Sequence, residues 1–240
     1  MTLYFISDML TIAIPTMRRW SFLKTMLPVF LSSPEVSEVI LCDETGEDAE
    51  AARAAFGSNP KLKIHVNDHR LGIYQNKKKA LQLAKGWTAL LDSDNIFPEE
   101  WFEFVKELDF SDKKRMYGSA DFKSLETETC KVTTPCKEFS GLVLSKESWN
   151  TFLHRDKCFF LLNDGNWILH SDAASALTEI NSSVVHAADA VFMLFLFMNA
   201  GYTIEYPAGL EYIHTVHPGS SWNEMKDASL KILLETDWRL

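Results

Sequence analysis

Apolar positions in the first half of the chain switch between two periods. Residues 11–16, TIAIPT, form a short β-branched run closed by Pro15, the pattern of a buried strand running into a loop. Over 18–31, Trp20, Leu23, Leu27 and Phe30 fall at helical spacing. VILCDE (39–44) is a second buried strand, and its C-terminal end delivers Asp43 and Glu44. A helix rich in Ala and Glu follows over about 47–56. Residues 61–68 then alternate Leu62, Ile64 and Val66 on one face, a half-buried strand. A further helix over about 73–85 leads to WTALLDSDN (87–95), a strand ending in two carboxylates. This β-α-β-α-β-α-β order predicts a mixed, mostly parallel sheet with helices on both faces.

The second half is less regular. Residues 115–122 and 138–145 read as strands, joined by a polar, Thr-rich connection at 124–137. A helix is expected near 146–154, and NDGNW (163–167) is a turn signal. Residues 187–202 form a helix that is apolar on most sides and ends at Gly201, the common C-terminal glycine position. YTIEYP (202–207) is a further strand, and 223–236 a terminal helix. With no repeat or clear linker, the 240 residues read as one α/β domain. Its two halves, 1–117 and 118–240, meet where the pattern changes.

Charge narrows the function. Against 33 Asp and Glu stand 24 Lys and Arg, a formal net charge of −9, which argues against broad binding to nucleic acid. No basic run is long, and Lys77-Lys78-Lys79 reads as a solvated helix face from which Lys77 can reach a phosphate. Cysteines 42, 130, 136 and 158 form no CxxC pair, which fits reduced thiols in a cytosolic enzyme; Cys130 and Cys136 would pair only in an oxidising compartment. The N-terminus does not read as a signal peptide. The strongest apolar stretch, Ala190 to Met198, is about half the roughly 20 residues a bilayer span needs. A cytoplasmic protein, peripheral to a membrane at most, is the expectation.

In open α/β sheets ligands bind beyond the carboxyl ends of the strands. Three of those ends carry polar residues: Thr16, then Asp43 and Glu44, then Asp92-Ser93-Asp94. Carboxylates gathered there suit Mg²⁺ or Mn²⁺ carrying phosphates, since hard cations take oxygen ligands. Asp and Ser also populate turns for local reasons, so the triplet alone is a weak signal.

Several segments resemble GT-A glycosyltransferases, in particular the inverting family 2 enzymes. LLDSDN followed by FPEEW is similar to the DxD segment of that family. TIAIPT with Arg18 resembles its opening strand, and VILCDE its second strand with paired terminal acids. HRLGIYQNKKKAL (69–81) looks like its glycine-containing loop and helix, where Asn76 and Lys77 are nearest to a basic-plus-Asn pair. AADAVFMLFLFMNAGYTIEYP resembles the later helix that opens on an acidic pair, here reduced to Asp189. HTVHPGSSW (214–222) is similar to the closing His-containing loop. These matches run in the family's order from about residue 11 to residue 222.

The resemblance implies a nucleotide-sugar-binding first half and an acceptor-binding second half that carries the base. Pro15, Thr16, Arg18, Asp43, Asn76, Lys77 and Asp92 would line the nucleotide site, with Asp43 on the base or ribose; its plain alternative is a helix cap. Asp94 would be the main ligand of Mn²⁺ or Mg²⁺, with Asp92 beside it and His217 completing the set; His214 is the nearest competitor. Asp189 would be the general base, with Asp172 and Glu179 as alternatives. Trp222 and Trp167 could stack on an acceptor sugar, although Trp is also a normal core residue. The implied activity is metal-dependent, inverting transfer from a nucleotide-sugar, UDP-linked, to a glycan, lipid-linked or protein acceptor. Two alternatives stand beside it. A sugar-phosphate nucleotidyltransferase would normally carry a Gly-rich loop after the first strand, and PTMRRW has no glycine. A non-catalytic carbohydrate-binding protein is favoured by the reduced acidic pair at 188–189.

Overall fold

The computed structural model describes residues 10–181 and 184–240. β1 (Leu10–Thr16) runs parallel between β2 (Val36–Asp43) and β4 (Trp87–Leu90), and β3 (Leu62–Val66) lies outside β2. The crossovers are α1 (Trp20–Ser32), α2 (Glu47–Phe56) and α3 (Ile73–Leu83). Every residue of β1 is buried, as expected of a central strand covered on both faces. The first half therefore folds as its pattern predicts, and the open sheet brings the C-terminal ends of β1, β2 and β4 to one edge. β4 is shorter than the pattern suggested. It leaves the sheet after Leu90, so Asp92 and Asp94 sit in a loop just beyond the strand.

The large sheet has eight strands in the order β3-β2-β1-β4-β9-β5-β10-β8, mixed and mostly parallel. β9 (Trp167–His170) is wedged antiparallel between β4 and β5 (Arg115–Gly118), which joins the two halves in one sheet. β10 (Thr203–Glu205) and β8 (Val143–Leu144) complete the edge. β9 is the main departure from the sequence reading, which ended a turn at Trp167. All four of its residues are buried, and four residues are too few to show a period.

The Thr-rich connection is not a plain loop. It holds a hairpin, β6 (Lys123–Glu126) and β7 (Lys131–Thr133), which pairs with β11 (Ile213–Val216) in a second, three-stranded sheet. β7 is exposed throughout, so no buried face marks it as a strand. The strand expected at 138–145 is instead a 3₁₀ turn at Lys137–Phe139 followed by the two residues of β8. Two short helices, α4 (Glu99–Val105) and α6 (Cys158–Leu162), were not indicated by periodicity. α5 (Lys146–Phe152) and α7 (Asp189–Asn199) lie where expected, α7 followed by Gly201 at φ +81°. α8 (Ser221–Glu235) starts two residues earlier than its pattern suggested, with the Ser220 hydroxyl accepting from Asn223 N–H as its cap. Val191, Leu194 and Phe197 of α7 are fully buried, and Phe192 meets Tyr74 of α3 edge-on at 5.7 Å. Packing against α3 thus fixes where α7 begins. Among the described residues no helix is long and apolar enough to cross a membrane. All four cysteines are free thiols, and burial pushes those of Cys42 and Cys136 up to about 12.

Candidate functional site

At the ends of β1 and β2 the polar side chains are taken up mainly by backbone. Asp43, fully buried, accepts the N–H of Thr45 at 3.0 Å and of Ala49 at 2.8 Å, so it fastens the entry to α2. Glu44 accepts the N–H of Leu71 at 2.8 Å and of Gly72 at 3.0 Å, holding the loop before α3. Asn76 donates to the Cys42 carbonyl at 3.1 Å and accepts from the Asn67 amide at 2.9 Å. The Thr16 hydroxyl donates to Asp48 at 2.6 Å, and Asp48 also accepts the Arg19 N–H. Arg18, at φ +57°, is exposed and pairs with Glu47 at 2.8 Å, at the rim of this group.

Beyond β4 the partners are side-chain cations. Asp92 N–H donates to the Asn166 side-chain oxygen at 2.8 Å, which pins the loop to the segment before β9. Asp92 Oδ1 lies 3.0 Å from Lys77 Nζ, and Lys77 Nζ lies 3.0 Å from Asp189 Oδ2 at the start of α7. The Lys77 side chain is only 6% exposed, so it is no solvated helix face. Burial pulls its ammonium down, but Asp189 and Asp92 beside it outweigh that and leave it above the usual lysine range. Burial pushes the Asp92 carboxyl up, with Asp94 and Asp189 adding to the rise and Lys77 opposing it.

Asp94 faces the closing segment. Its Oδ2 is 3.1 Å from His217 Nε2 and 3.4 Å from Arg19 Nε. Burial works to raise its carboxyl, but the His217 hydrogen bond and the Arg19 charge prevail and hold it below the usual range. The segment reaches Asp94 because Ile96 and Ile213 exchange backbone hydrogen bonds, both 2.9 Å, and Asn95 accepts the Thr215 N–H at 3.0 Å. Arg19 then grips the Gly219 carbonyl at 2.6 Å. Asp94 and His217 supply one oxygen and one nitrogen donor of the kinds that Mn²⁺ accepts. Among the described residues no three His, Cys, Asp or Glu side chains form a ready cage. The pair therefore fits an ion that takes its remaining ligands from a bound phosphate.

The three candidate bases separate clearly. Asp172 is exposed and pairs with Lys113 and His170, while Glu179 is exposed and pairs with Lys78. Asp189 alone is buried beside the DxD loop. His214 does not contact Asp94; its Nδ1 is 3.9 Å from Asp164. Trp167 is a correction to the sequence reading: it is 1% exposed in β9 with its ring edge-on to Phe197, so it presents no face to a sugar. Trp222, half-buried in the first turn of α8, remains beside the closing segment.

Several contributors were not indicated by sequence. Arg19 and Tyr212 carried no motif, and Asp164, Gly165 and Asn166 were read only as turn residues. Asp164 is buried, bonded to the Tyr212 hydroxyl and the Asn166 amide, and its carboxyl is raised by burial despite His214. Gly165, at φ +77°, lies so close under Lys77 that an added Cβ would stand 2.7 Å from Nζ. The dense polar run NDGNW between two apolar stretches was the available signal, since it lines the site as well as turning the chain.

Residues 11–179 match the family model described as Glycosyl transferase family 2. No curated protein sequence matches the chain. Among solved structures it is similar to S. aureus TarS, with TM-score 0.60 and 15% identity over 94% of this chain and 40% of that one. S. aureus TarS 1–349 in complex with UDP gives 0.62 and 14%, over 94% of this chain and 66% of that one. The mannosyltransferase PcManGT from Pyrobaculum calidifontis, in complex with GDP-Man and Mn²⁺, gives 0.63 and 14%, over 95% and 63%. At these identities the likeness is one of fold. The chain spans between 40% and 66% of the length of these structures.

Proposed function

The chain belongs to glycosyl transferase family 2, with the GT-A architecture, and we propose that it transfers a sugar from a UDP-linked donor to an acceptor hydroxyl with inversion and with a divalent cation. The observation that carries this reading is a pair of short contact chains, Asp92–Lys77–Asp189 and Asp94–His217, whose carboxylates Asp92 and Asp94 stand two residues apart in one loop. Their residues come from four separate stretches of sequence and gather beyond the C-terminal end of β4, where an open sheet binds its ligand.

Pro15, Thr16, Arg18 and Asn76 border the nucleotide site at the ends of β1 and β2. Asp43 spends one lone pair of each oxygen on a backbone N–H and keeps others for a uracil N–H or a ribose hydroxyl. Asp94 and His217 are the residues that would hold Mn²⁺ or Mg²⁺, which when bound would supply positive charge to the departing diphosphate. The acceptor oxygen attacks the sugar C1 from the face opposite the diphosphate. The C1–O bond to phosphate breaks, the nucleoside diphosphate leaves with that electron pair, and the acceptor proton passes to Asp189. The acceptor is a hydroxyl of a glycan, lipid-linked or protein molecule, met by the second half beside Trp222.

A thermal-shift series with UDP, GDP and their sugars, with and without Mn²⁺, tests this. A cognate donor at about 100 times its Kd raises stability by roughly 2.7 kcal/mol. The expected result is a shift for the UDP series that needs Mn²⁺. A flat response to every nucleotide would sink the proposal, and a shift for GDP alone would reassign the donor.

A further inference from the structure

Lys77 links two carboxylates that belong to different parts of the proposed reaction. Asp92 follows β4 on the donor side, and Asp189 opens α7 as the proposed base. We propose that Lys77 is a positioning residue that fixes Asp189 by tying the start of α7 to Asp92, and that it does not bind donor phosphate. This rests on the transferase reading above.

Geometry supports the assignment in three ways. Nζ is 3.0 Å from an oxygen of each carboxylate, and the Lys77 and Asp189 side chains are 6% and 7% exposed. A lysine so enclosed would have to abandon a buried anion, Asp189, and a partly buried one, Asp92, to reach a diphosphate, and each would then lack its counter-charge. Gly165 closes the space beneath the ammonium, since an added Cβ would stand 2.7 Å from Nζ and 3.4 Å from Asp92 Oδ2. Finally, α3 and α7 are in contact through Tyr74 and Phe192, so the ion pair and the ring contact hold the same two helices.

The balance of charge also points away from a purely structural tie. One ammonium serves two carboxylates, which leaves the group with excess negative charge in a place where burial penalises it. Asp189 Oδ2 is sealed from solvent and makes no aligned hydrogen bond. The ammonium therefore steadies the carboxylate through charge at Oδ2 and leaves Oδ1 for an acceptor hydroxyl. With the lysine removed, Asp189 keeps its helix but loses the charge that aims it.

The test uses the full chain with Mn²⁺, UDP binding by calorimetry, and steady-state cleavage of a UDP-sugar with water as acceptor. Lys77→Met is expected to bind UDP within about threefold of wild type while kcat falls about 10²-fold at nearly constant KM. Lys77→Arg should recover about tenfold of that loss, because it restores the cation. The double variant Lys77→Met with Asp189→Asn should be no slower than Asp189→Asn alone, since the two act through one group. Weakened UDP binding with kcat intact would make Lys77 a phosphate ligand, and multiplying losses in the double variant would make it independent of the base; either overturns the proposal. Should Lys77→Met fail to fold, Gly165→Ala displaces the ammonium without deleting it. That variant is expected to lower kcat by about tenfold with UDP affinity unchanged, and an unaltered kcat overturns the proposal. Failure of the transferase reading looks different: the wild-type protein would then neither bind UDP nor cleave a UDP-sugar.

Discussion

The acidic residues at the end of β2 differ from those gathered beyond β4 in what holds them. Asp43 and Glu44 are satisfied by four backbone N–H groups, from Thr45, Ala49, Leu71 and Gly72. Asp92, Asp94 and Asp189 are held by Lys77, Arg19 and His217, through side chains alone. Backbone amides cannot leave, so the first group is fixed in shaping loops, and Asp43 can meet a ligand only through the lone pairs those amides leave over. Side-chain partners are not tied to the backbone, so Arg19 and His217 could make room for a metal at Asp94, while Lys77 stays between Asp92 and Asp189. Asp43 and Glu44 are thus distinguished from Asp92, Asp94 and Asp189 by the identity of their donors.

The largest effect expected from this contrast is at Asp189. Asp189→Asn keeps the shape and removes the basicity, so sugar transfer should slow by about 10² to 10⁴ while UDP binding stays normal. Asp172→Asn, made as a control, should be nearly silent in the same kinetic assay. If transfer survives Asp189→Asn and fails in Asp172→Asn, the base and the division drawn above are both misassigned.

Next comes Asp94→Ala, which removes the oxygen facing His217 and Arg19. The Mn²⁺-dependent part of UDP affinity should disappear in a calorimetric titration, with the circular dichroism spectrum unchanged. Asp92→Ala should cost less affinity, because Lys77 and not the cation is its nearest partner. UDP binding that responds to Mn²⁺ as before in Asp94→Ala would move the metal elsewhere.

Asp43→Ala sharpens the comparison from the other side. It strips the N–H groups of Thr45 and buried Ala49 of their acceptor, so urea unfolding should show a loss of about 1–3 kcal/mol. As a base contact it should also weaken UDP binding, with and without Mn²⁺. Loss of stability with affinity intact would assign Asp43 wholly to the scaffold. The smallest effect belongs to Arg18→Ala. Its pair with Glu47 is exposed, and the melting temperature should move by less than about 2 °C.

Much of the scaffold was legible because β1 and β2 are long, apolar and bounded by helices with a clear period. The DxD loop and His217 were legible as parts of an ordered resemblance, and the structure brings Asp94 and His217 to 3.1 Å. Lys77 was only half legible: three consecutive lysines look like a wet surface, and nothing local says that two carboxylates from other elements bury the first of them. Arg19 carried no motif because its partners, Asp94 and Gly219, lie 75 and 200 residues ahead. β9 stayed hidden because a four-residue strand takes its identity from the neighbours that pair with it. The β6–β7 hairpin was missed because each strand offers a single apolar residue, Leu125 and Val132, too few to mark a period.

The closing segment has a consequence for the order in which the molecule becomes competent. The contacts Asn95–Thr215, Ile96–Ile213 and Asp94–His217 each join the loop after β4 to chain made more than a hundred residues later. During synthesis, at roughly 5–20 residues per second, the parallel strands β1 to β4 are complete several seconds before His217 exists. Closing so long a loop carries an entropic cost that only the finished sheet can repay. On a nascent chain Asp94 can therefore meet His217, its proposed partner in holding a metal, only once the turn through Gly219 comes within reach of Arg19.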